Sequence, residues 1–445
     1  MPRTRAVWPP APPLVVPRWR LPEQPAVPKV KVLHVITRFI AGSGGNTLAS
    51  AVGMPPARYE TWVAAMPGGP LWDEAERAGV RTVRLRHMRE KLSPWHDLCV
   101  TLELVRLMRR ERFTVVHTHC SKAGLSGRLA ARLAGAPVVV HTFHIFAVHP
   151  GLSRPRRLAY TVMERVVRSC AHRYVAVAPR VAVEAVQQRI APPGSIVVIP
   201  SAVDVAGIPT EDDPAVREEL GIPADAPVVG TVGRIVAQKA PLDFVRMCAL
   251  IHSRRPEVAF VMVGDTTLES AGLEEETRRT AERLGVPIVF TGFRPDAPRI
   301  AAGFDVYVVP SVYEGLGRSL TEAMASARPV VATAVNGVPD LVEPGATGLL
   351  APPSDPEALA AAVEWLLDHP EEAARMGAQG QARVRSHMDP SATCRALDEL
   401  YCELLGLPDQ QPIQAHAASR VLGIQRTVSG PAPATVPDVV GSPRH

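Results

Sequence analysis

The sequence predicts an α/β protein in which two doubly wound domains face each other across a cleft. Short apolar runs alternate with amphipathic stretches, and this series restarts near the middle of the chain. A segment rich in Pro and Asp separates the two series. The chain has 445 residues, which fits two domains of roughly 100–200 residues with a tail at either end.

The first series, residues 29–200, contains five predicted strands that are almost continuously apolar. Strands inside a parallel sheet have this composition because helices cover both faces of the sheet. The strands are KVLHVIT (31–37), TVVHTHC (114–120), PVVVHTFH (137–144), RYVAVAP (173–179) and SIVVIP (195–200). Helical patterns lie between them, and Gly135 is expected to end the helix that contains SGRLAARLAG (126–135). These features predict a Rossmann-like domain.

A linker, residues 201–226, precedes the second Rossmann-like domain, residues 227–388. Its predicted strands are PVVGTVGR (227–234), VAFVMVGD (258–265), PIVFTGF (287–293), DVYVVPS (305–311) and PVVATAV (329–335). Asp355 followed by Pro356 predicts the cap and first residue of a helix. Residues 389–407 are predicted to form a last helix that packs back across the cleft. The leader (1–28) and the tail (408–445) are rich in Pro or polar residues and are predicted to be disordered.

Composition excludes several classes of protein. Hydrophobic residues make up 46% and charged residues 21% of the chain, as in ordinary globular enzymes. No apolar run reaches the roughly 18 residues that a membrane-spanning helix needs. The 6 cysteines include no CxxC pair, which argues against a disulfide framework and against a zinc site.

Charge is divided unevenly between the two halves. Residues 29–200 carry 25 Lys and Arg against 10 Asp and Glu, a net of +15, whereas residues 201–445 carry 20 against 33, a net of −13. Such asymmetry suggests an anionic partner for the first domain. A solvated basic face with no partner is the alternative. Two basic clusters, RLMRRER (106–112) and RPRRLAYTVMERVVR (154–168), contribute to this charge.

The turn after strand 305–311 carries the first chemical motif. The sequence EGLGRS (314–319) lies in this turn, and LTEAMASA (320–327) opens a helix. Ligands of open α/β sheets bind at such strand ends, free N–H groups at a helix start attract phosphate, and glycines let the backbone approach closely. The predicted substrate-binding residues of this turn are Gly315, Leu316, Gly317, Arg318 and Ser319.

Two carboxylates flank this turn. Glu322 lies early in the helix, where its carboxylate is suited to accept hydrogen bonds from the two adjacent hydroxyls of a ribose. Glu314 precedes the glycines and is expected to reach a group beyond the phosphates. Taken without the rest of the turn, both glutamates also fit ordinary surface charge.

The turn after the first strand of the second domain carries another motif, GTVGRIVAQK (230–239). Gly233, Arg234 and Lys239 stand at a strand end beside a glycine turn, a combination that suits a diphosphate. The pattern is not a Walker motif, because Gly-Lys-Ser/Thr does not precede a helix.

Together the two motifs resemble those of the retaining GT-B glycosyltransferases of family 4 (glycosyl transferases group 1), in the exopolysaccharide and glycoconjugate branch. That family carries G-x-x-G-R-x-x-x-x-K and E-x7-E motifs, and the resemblance extends over residues 32–405. It implies a GT-B fold and a hexosyltransferase that moves a hexose-type sugar from a nucleoside diphosphate sugar to an acceptor. The acceptor is a glycan, a lipid-linked molecule or a small molecule. The resemblance implies no cofactor, no bound metal and no nucleic acid partner.

The resemblance also assigns roles to first-domain residues. Gly44, Gly45 and Asn46 match the family's glycine-rich loop after the first strand, which approaches the donor phosphate and the acceptor. His144 matches a histidine near the transferred sugar, although Ile145 stands where the family has glycine. The other histidines of this region are expected to be structural, namely His117, His119, His141 and His149.

The catalytic group that the resemblance implies is His144, Glu314, Arg234 and Lys239. Phe293 and Arg294, in TGFRPD (291–296), are predicted to contribute to the base pocket. The chain departs from the family at Asn336, which is usually glycine, and at Asp340, which is usually glutamate.

Location and two rival functions complete the sequence-based expectations. A cytoplasmic enzyme is expected, with its basic first domain in peripheral contact with the anionic inner face of the plasma membrane. One rival is a nucleotide-sugar epimerase of the same fold. The other is a catalytically silent protein that binds nucleotide sugar.

Overall fold

The computed structural model describes residues 28–40, 42–69, 71–146, 152–266 and 270–408. The predicted leader and tail lie outside the described residues except for their innermost residues, Pro28 and Pro408. Within the described part of the chain, two parallel sheets of 7 and 6 strands are covered by helices. The predicted fold class is therefore confirmed.

The first domain contains seven strands and six α-helices among its described residues. The elements in chain order are β1 (Val30–Arg38), α1 (Ser43–Gly53), β2 (Tyr59–Met66), α2 (Leu71–Arg77), β3 (Arg81–Arg84), α3 (Pro94–Glu111), β4 (Val115–His119), α4 (Ser121–Ala134), β5 (Val138–Phe143), α5 (Arg154–Val166), β6 (Arg173–Ala176), α6 (Pro179–Gln187) and β7 (Ile196–Val198). The strand order is β3-β2-β1-β4-β5-β6-β7. Strands β1 and β4 are neighbours at the centre, which is where doubly wound sheets place ligands.

The linker and the second domain continue the same alternation. The elements are α7 (Pro214–Glu219), β8 (Val228–Val232), α8 (Pro241–His252), β9 (Ala259–Val263), α9 (Ala271–Leu284), β10 (Ile288–Gly292), α10 (Ala297–Ala301), β11 (Val306–Val309), α11 (Arg318–Ala325), β12 (Val330–Thr333), α12 (Val338–Leu341), β13 (Leu349–Ala351), α13 (Pro356–Asp368), α14 (Pro370–His387) and α15 (Pro390–Leu405). The strand order is β10-β9-β8-β11-β12-β13.

All ten predicted strands are present, and the sequence patterns missed β2, β3 and β13. The missed β3 has the sequence RTVR and shows no apolar run, and β13 is apolar but has only 3 residues. The missed β2, YETWVAAM, does contain an apolar run, which the patterns did not identify as a strand. Two predicted helix ends are confirmed. Gly135 adopts φ 74° and ends α4, and the Asp355 side chain accepts a hydrogen bond from Ala358 N at the start of α13.

The last helix joins the two halves of the molecule. Although α15 follows the second domain along the chain, its residues Leu397, Leu400 and Tyr401 share a core cluster with Val32 and Val138 of the first sheet. Next to this apolar contact, Asp398 accepts hydrogen bonds from Arg58 and Tyr59 of the first domain. The apolar face of α15 is therefore buried against the first domain rather than the second.

The hydrophobic core of the first domain also extends into the linker and the second domain. Val203 and Val216 of the linker belong to one buried cluster with residues of β6, β8 and β11. In the part of the chain that the structure describes, no helix combines the length and hydropathy needed to cross a bilayer.

Candidate active site

The two motifs of the second domain meet at one edge of its sheet. Strands β8 and β11 are parallel neighbours, with Val229 opposite Val306, so the turns that follow them lie side by side. Lys239, brought back by a short 3-10 helix after β8, forms an ion pair with Glu314, which follows β11. The hydroxyl of Ser311 donates a second hydrogen bond to the same Glu314 oxygen at 3.0 Å.

A cavity that is partly open to solvent lies beside this ion pair. Its polar lining includes Gly233, Arg234, Lys239 and Ser319. Ser319 Oγ, in the first turn of α11, is buried and has no hydrogen-bond partner among the described residues. A buried hydroxyl without a partner is costly, and a ligand oxygen at the start of the helix would satisfy it.

Glu314 is held on its backbone side as well as through its carboxylate. The side chain is 6% exposed, and the backbone N–H of Glu314 donates to Asn336 Oδ1 at 3.0 Å. Asn336 in turn donates from Nδ2 to Glu184 of α6, in the first domain, at 2.9 Å. Burial raises the pKa of Glu184. Asn336 thus ties the turn of Glu314 to the opposite domain, a link that glycine could not make.

The turn of the second domain approaches the first domain at Gly315. A Cβ atom on Gly315 would lie 1.6 Å from the carbonyl oxygen of His144, and any side chain would therefore force the two segments apart. Nearby, the backbone N–H of Arg180 donates to Asp340 Oδ2 at 2.7 Å. The two residues at which the chain departs from the family, Asn336 and Asp340, therefore both contact α6.

The first-domain glycines do not form the predicted loop, because Gly44, Gly45 and Asn46 lie in the first turn of α1. Gly42, with φ 78°, makes the turn that starts this helix. A Cβ on Gly45 would lie 1.9 Å from Nη1 of Arg318. The expectation of a loop is thus wrong, but Gly45 faces the turn of the second domain.

The other predicted substrate residues of α1 and α11 already have intramolecular partners. Asn46 Oδ1 accepts a hydrogen bond from Ala202 N at 3.1 Å, and Arg318 Nε donates to Glu322 Oε1 at 2.7 Å. Leu316 is 6% exposed and belongs to the core cluster. In the described structure, therefore, Glu322 neutralises Arg318 rather than facing open space.

The two residues predicted for the base pocket differ in how accessible they are to a ligand. Arg294 binds Asp296 at 2.8 Å and also pairs with Glu219, and these hydrogen bonds raise its pKa. Its guanidinium group is thus occupied by carboxylates of the same surface. Phe293 is 68% exposed, so its ring is accessible for stacking.

Histidines line the centre of the first sheet and extend to the interface between the domains. His144 Nε2 is hydrogen-bonded to His119 Nδ1 at 3.1 Å. His119 Nε2 is hydrogen-bonded to His34 Nδ1 at 3.0 Å. Burial lowers the pKa of His34 and of His144 to about 4, and it holds the pKa of His119 well below its ordinary value. We call His34, His119 and His144 the histidine chain.

Two further histidines lie beside this chain, and His149 lies outside the described residues. His117 is hydrogen-bonded to Tyr401 Oη and to Thr142 Oγ1, both at 2.6 Å. His141 is hydrogen-bonded to Thr118 at 2.9 Å. Burial holds the pKa of both rings well below the ordinary value, so they are neutral near pH 7.

Sequence patterns did not identify His34, because a single histidine inside an apolar strand resembles any core position. The signal that reveals it is its pairing with His117 across β1 and β4, and that pairing requires the strand order.

One ring nitrogen from each of His34, His117 and His119 lies within 4.8 Å of the others, close enough for a shared metal ion. Both nitrogens of His117 and both nitrogens of His119 are already hydrogen-bonded, however. A metal ion would have to displace several of these bonds. The expectation that the enzyme needs no metal stays a prediction.

Comparisons with known proteins identify both domains. A family model described as "Glycosyltransferase Family 4" matches residues 46–206, and one described as "Glycosyl transferases group 1" matches residues 226–369. An Escherichia coli UDP-Gal:α-D-GlcNAc-diphosphoundecaprenol α-1,3-galactosyltransferase is 30% identical over 327 residues, which cover 72% of this chain and 84% of that protein. A 2-deoxystreptamine N-acetyl-D-glucosaminyltransferase from Streptomyces fradiae is 31% identical over 74% of this chain and 80% of its own length.

Solved structures support the same architecture. Anabaena HepE, determined in complex with UDP-glucose, has a TM-score of 0.71 and 21% identity, and the match covers 84% of this chain and 99% of that one. Sucrose-phosphate synthase from Thermosynechococcus elongatus has a TM-score of 0.72 and 22% identity, with coverage of 84% and 99%. At these identities the likeness shows the fold alone.

Proposed function

Because the chain belongs to the family 4 (group 1) glycosyltransferases, we propose that it is a retaining enzyme that transfers a hexose-type sugar from a uridine diphosphate sugar to a lipid-linked glycan. The observation that carries this proposal is the partly buried Lys239–Glu314 ion pair beside a cavity that Arg234 and Ser319 also line. Cations and a carboxylate there are suited to a diphosphate and to the sugar attached to it. The UDP-Gal and UDP-glucose in the names of a relative and of a solved neighbour support the choice of nucleotide.

Departure of the diphosphate is the difficult step of such a reaction. Negative charge develops on the leaving phosphate, and fixed cations stabilise it most when they are already in place. Arg234 forms no ion pair with another described residue, so its guanidinium group is available to phosphate. Lys239 would share its charge between the phosphate and Glu314, while Glu314 contacts the sugar. The start of α11 and Ser319 Oγ add hydrogen-bond donors.

The ribose assignment of Glu322 requires a rearrangement. Arg318 holds this carboxylate at 2.7 Å, and Arg318 is 46% exposed in its side chain. An exposed arginine can turn toward a phosphate at little cost, because surface ion pairs contribute only about 0–1 kcal/mol. Binding of the donor would therefore exchange the Arg318–Glu322 pair for two contacts with the ligand.

The acceptor is proposed from α5, the helix that follows the segment after His144. Leu158, Val162 and Val166 lie on one face of this helix at spacings of four residues and are 65%, 48% and 71% exposed. Arg154, Arg156, Arg157, Arg165 and Arg168 are exposed on or next to the same helix. Apolar residues with a basic rim are typical of helices that lie in a membrane interface. This face favours the lipid-linked acceptor of the Escherichia coli relative over the small acceptors of others.

A transfer assay tests the activity. The protein is incubated with labelled UDP-glucose or UDP-galactose and a polyprenyl diphosphate-linked sugar, and both the lipid product and the remaining donor are identified. Label in the lipid product, with retained anomeric configuration, is the expected result. Isomerised donor without transfer would support the epimerase instead, and binding without any reaction would support a silent protein.

Vesicle flotation tests the acceptor surface. The protein is expected to bind vesicles that contain phosphatidylglycerol and to lose binding as salt rises, since each basic residue contributes about 1 kcal/mol near an anionic surface. Replacing both Leu158 and Val162 with Glu should abolish flotation, whereas Leu284→Glu, an exposed position on α9 of the second domain, should not. Absence of flotation with anionic vesicles would contradict the membrane contact, equal flotation with neutral vesicles would contradict its dependence on charge, and both would leave the transfer assay unaffected.

A further inference from the structure

The histidine chain connects the interior of the first sheet to the interface between the domains. Its inner end, His34, is fully buried, and its outer end, His144, is 9% exposed. The carbonyl oxygen of His144 lies directly against Gly315, beside Glu314. A single hydrogen-bonded line of imidazoles therefore runs from β1 through β4 to the turn of the second domain that lies beside the cavity.

Each ring of the chain is neutral, so each carries one N–H. His119 uses both of its nitrogens within the chain, and it can donate toward His144 only if it accepts from His34. The hydrogen positions of all three rings are therefore coupled. Either every ring carries its hydrogen on Nδ1, or every ring carries it on Nε2.

The unpartnered atom at the inner end distinguishes the two arrangements. His34 Nε2 is buried and has no hydrogen-bond partner among the described residues. If the hydrogens were on Nε2, this atom would be a buried N–H without an acceptor. If they are on Nδ1, it is only a buried acceptor without a donor, which proteins tolerate more often. The arrangement with all hydrogens on Nδ1 makes His119 donate to His144 Nε2 and leaves the N–H of His144 on Nδ1.

We propose that His34 and His119 are positioning residues that hold His144 as the Nδ1–H tautomer and fix its ring at the domain interface. His144 Nδ1 has no hydrogen-bond partner among the described residues. It is also not one of the fully buried polar atoms of those residues that lack a partner. It is thus available as a hydrogen-bond donor to an oxygen of the transferred sugar. This last step rests on the proposed function, whereas the tautomer does not.

The packing around the histidine chain explains how its rings resist reorientation. The ring of His117 stacks on that of His119 with centroids 4.4 Å apart, and His117 is itself fixed by Tyr401 of α15 and by Thr142. A rotation of the His119 ring would disturb this stack as well as two hydrogen bonds. The last helix thereby supports His144 through His117 and His119.

Nuclear magnetic resonance of the full chain without substrate tests the tautomer directly. In two-bond ¹H–¹⁵N spectra of protein labelled on histidine, His144 is expected to show a protonated Nδ1 and an unprotonated Nε2, with the signal assigned by its absence in His144→Gln. A protonated Nε2, or rapid averaging between the two forms, would overturn the proposal. This measurement needs no enzymatic activity, so its failure is distinct from failure of the transferase assignment.

Kinetics of three variants test the positioning role. His119→Leu removes the donor to His144 and is expected to lower kcat about 10- to 100-fold, below the 100- to 1,000-fold cost of losing a transition-state donor itself. The KM for the sugar donor should stay within about twofold. His119→Asn keeps a side-chain N–H on a short side chain and should recover most of the lost kcat. His141→Leu, a buried histidine outside the chain, is the matched control and should keep wild-type kcat.

Two outcomes would contradict the positioning role. Equal losses in His119→Leu, His119→Asn and His141→Leu would show that any change in this core has the same effect. A rise in KM that matches the fall in kcat would point to general distortion of the site. If His119→Leu fails to fold, His34→Leu replaces it, because it removes the donor to His119, and the same split between kcat and KM applies.

Discussion

The two domains place different kinds of polar groups at the ends of their central strands. In the second domain the groups are charged, namely Arg234, Lys239 and Glu314, and they lie beside a cavity. In the first domain they are neutral imidazoles packed inside the sheet. Burying an isolated charge is costly, whereas a neutral histidine needs only hydrogen bonds. At these strand ends, therefore, the charged groups lie where a ligand can reach them, while the neutral groups extend into the core.

The largest expected effect comes from breaking the Lys239–Glu314 ion pair of the second domain. Lys239→Ala leaves Glu314 buried without its cation, and kcat should fall by at least about 100-fold. Stability should fall by about 2–3 kcal/mol, less than the 3–5 kcal/mol of fully buried pairs, because the Lys239 side chain is 21% exposed. Urea unfolding and initial rates measure the two effects. The double variant Lys239→Met with Glu314→Gln should regain stability but no activity, and a regain of activity would place the diphosphate elsewhere.

The next effect tests the contact between the two regions. Gly315→Ala would place a Cβ 1.6 Å from the His144 carbonyl oxygen, so the interface must open. We expect kcat to fall about 10- to 100-fold, because displacement of about 1 Å can have an effect of that size. Gly272→Ala is the control, since a Cβ there meets nothing within 4 Å. Equal activity of the two variants would show that the close approach is not needed for turnover.

The buried neutral histidines of the first domain predict a dependence of stability on pH. Burial lowers the pKa of His34 and His144 from 6.5 to about 4, so between these values the unfolded chain binds more protons than the folded one. The contribution of these neutral rings to the free energy of unfolding is full above pH 6.5 and is lost as pH falls toward 4. The total loss for each ring is about 1.4 kcal/mol for every unit by which burial shifts its pKa. Urea unfolding at pH 7.5, 6.5 and 5.5 should show a steady decrease. Equal stability at all three pH values would mean that the rings are not buried in neutral form.

The smallest expected effect concerns the link from the charged site to the first domain. Asn336→Gly removes the hydrogen bonds to Glu314 N and to Glu184. Each such bond contributes about 0.5–1.5 kcal/mol, but glycine suits the φ of 40° at this position and offsets part of the loss. We expect a decrease of about 1 kcal/mol in unfolding free energy and a kcat within tenfold of wild type. Glu184→Gln serves as the control that removes charge but keeps an acceptor for Asn336.

Sequence patterns predicted the fold because the features that indicate it, apolar runs and helix ends, each lie within a short segment. Five apolar runs in each half indicated two parallel sheets, and the structure contains all ten strands. Of the three strands that the patterns missed, β3 and β13 are short or polar, so only their neighbours in the sheet reveal them. Gly135 and Asp355 identified helix ends, since capping depends on a few adjacent residues.

The candidate site divides in the same way. Glu314 through Ser319 follow one predicted strand, and Gly233 through Lys239 follow another, so their spacing at strand ends indicated a diphosphate site. The loop predicted at Gly44, Gly45 and Asn46 is helical, because Gly42 completes the turn before α1 begins. Arg294, predicted for the base pocket, is held by Glu219 and Asp296, and the first of these is far from it in sequence.

Apolar periodicity and turn motifs lie within short segments, so sequence patterns alone indicated the two-domain α/β architecture and the candidate residues of the charged site. The hydrogen bonds that join His34, His119 and His144 are visible only in the folded protein. That chain exists because β1 and β4, 85 residues apart at the His34–His119 bond, are neighbours in the sheet. The tertiary structure also joined Asn336 to Glu184 across the interface. Such contacts depend on strand order and domain placement, and no local pattern specifies either.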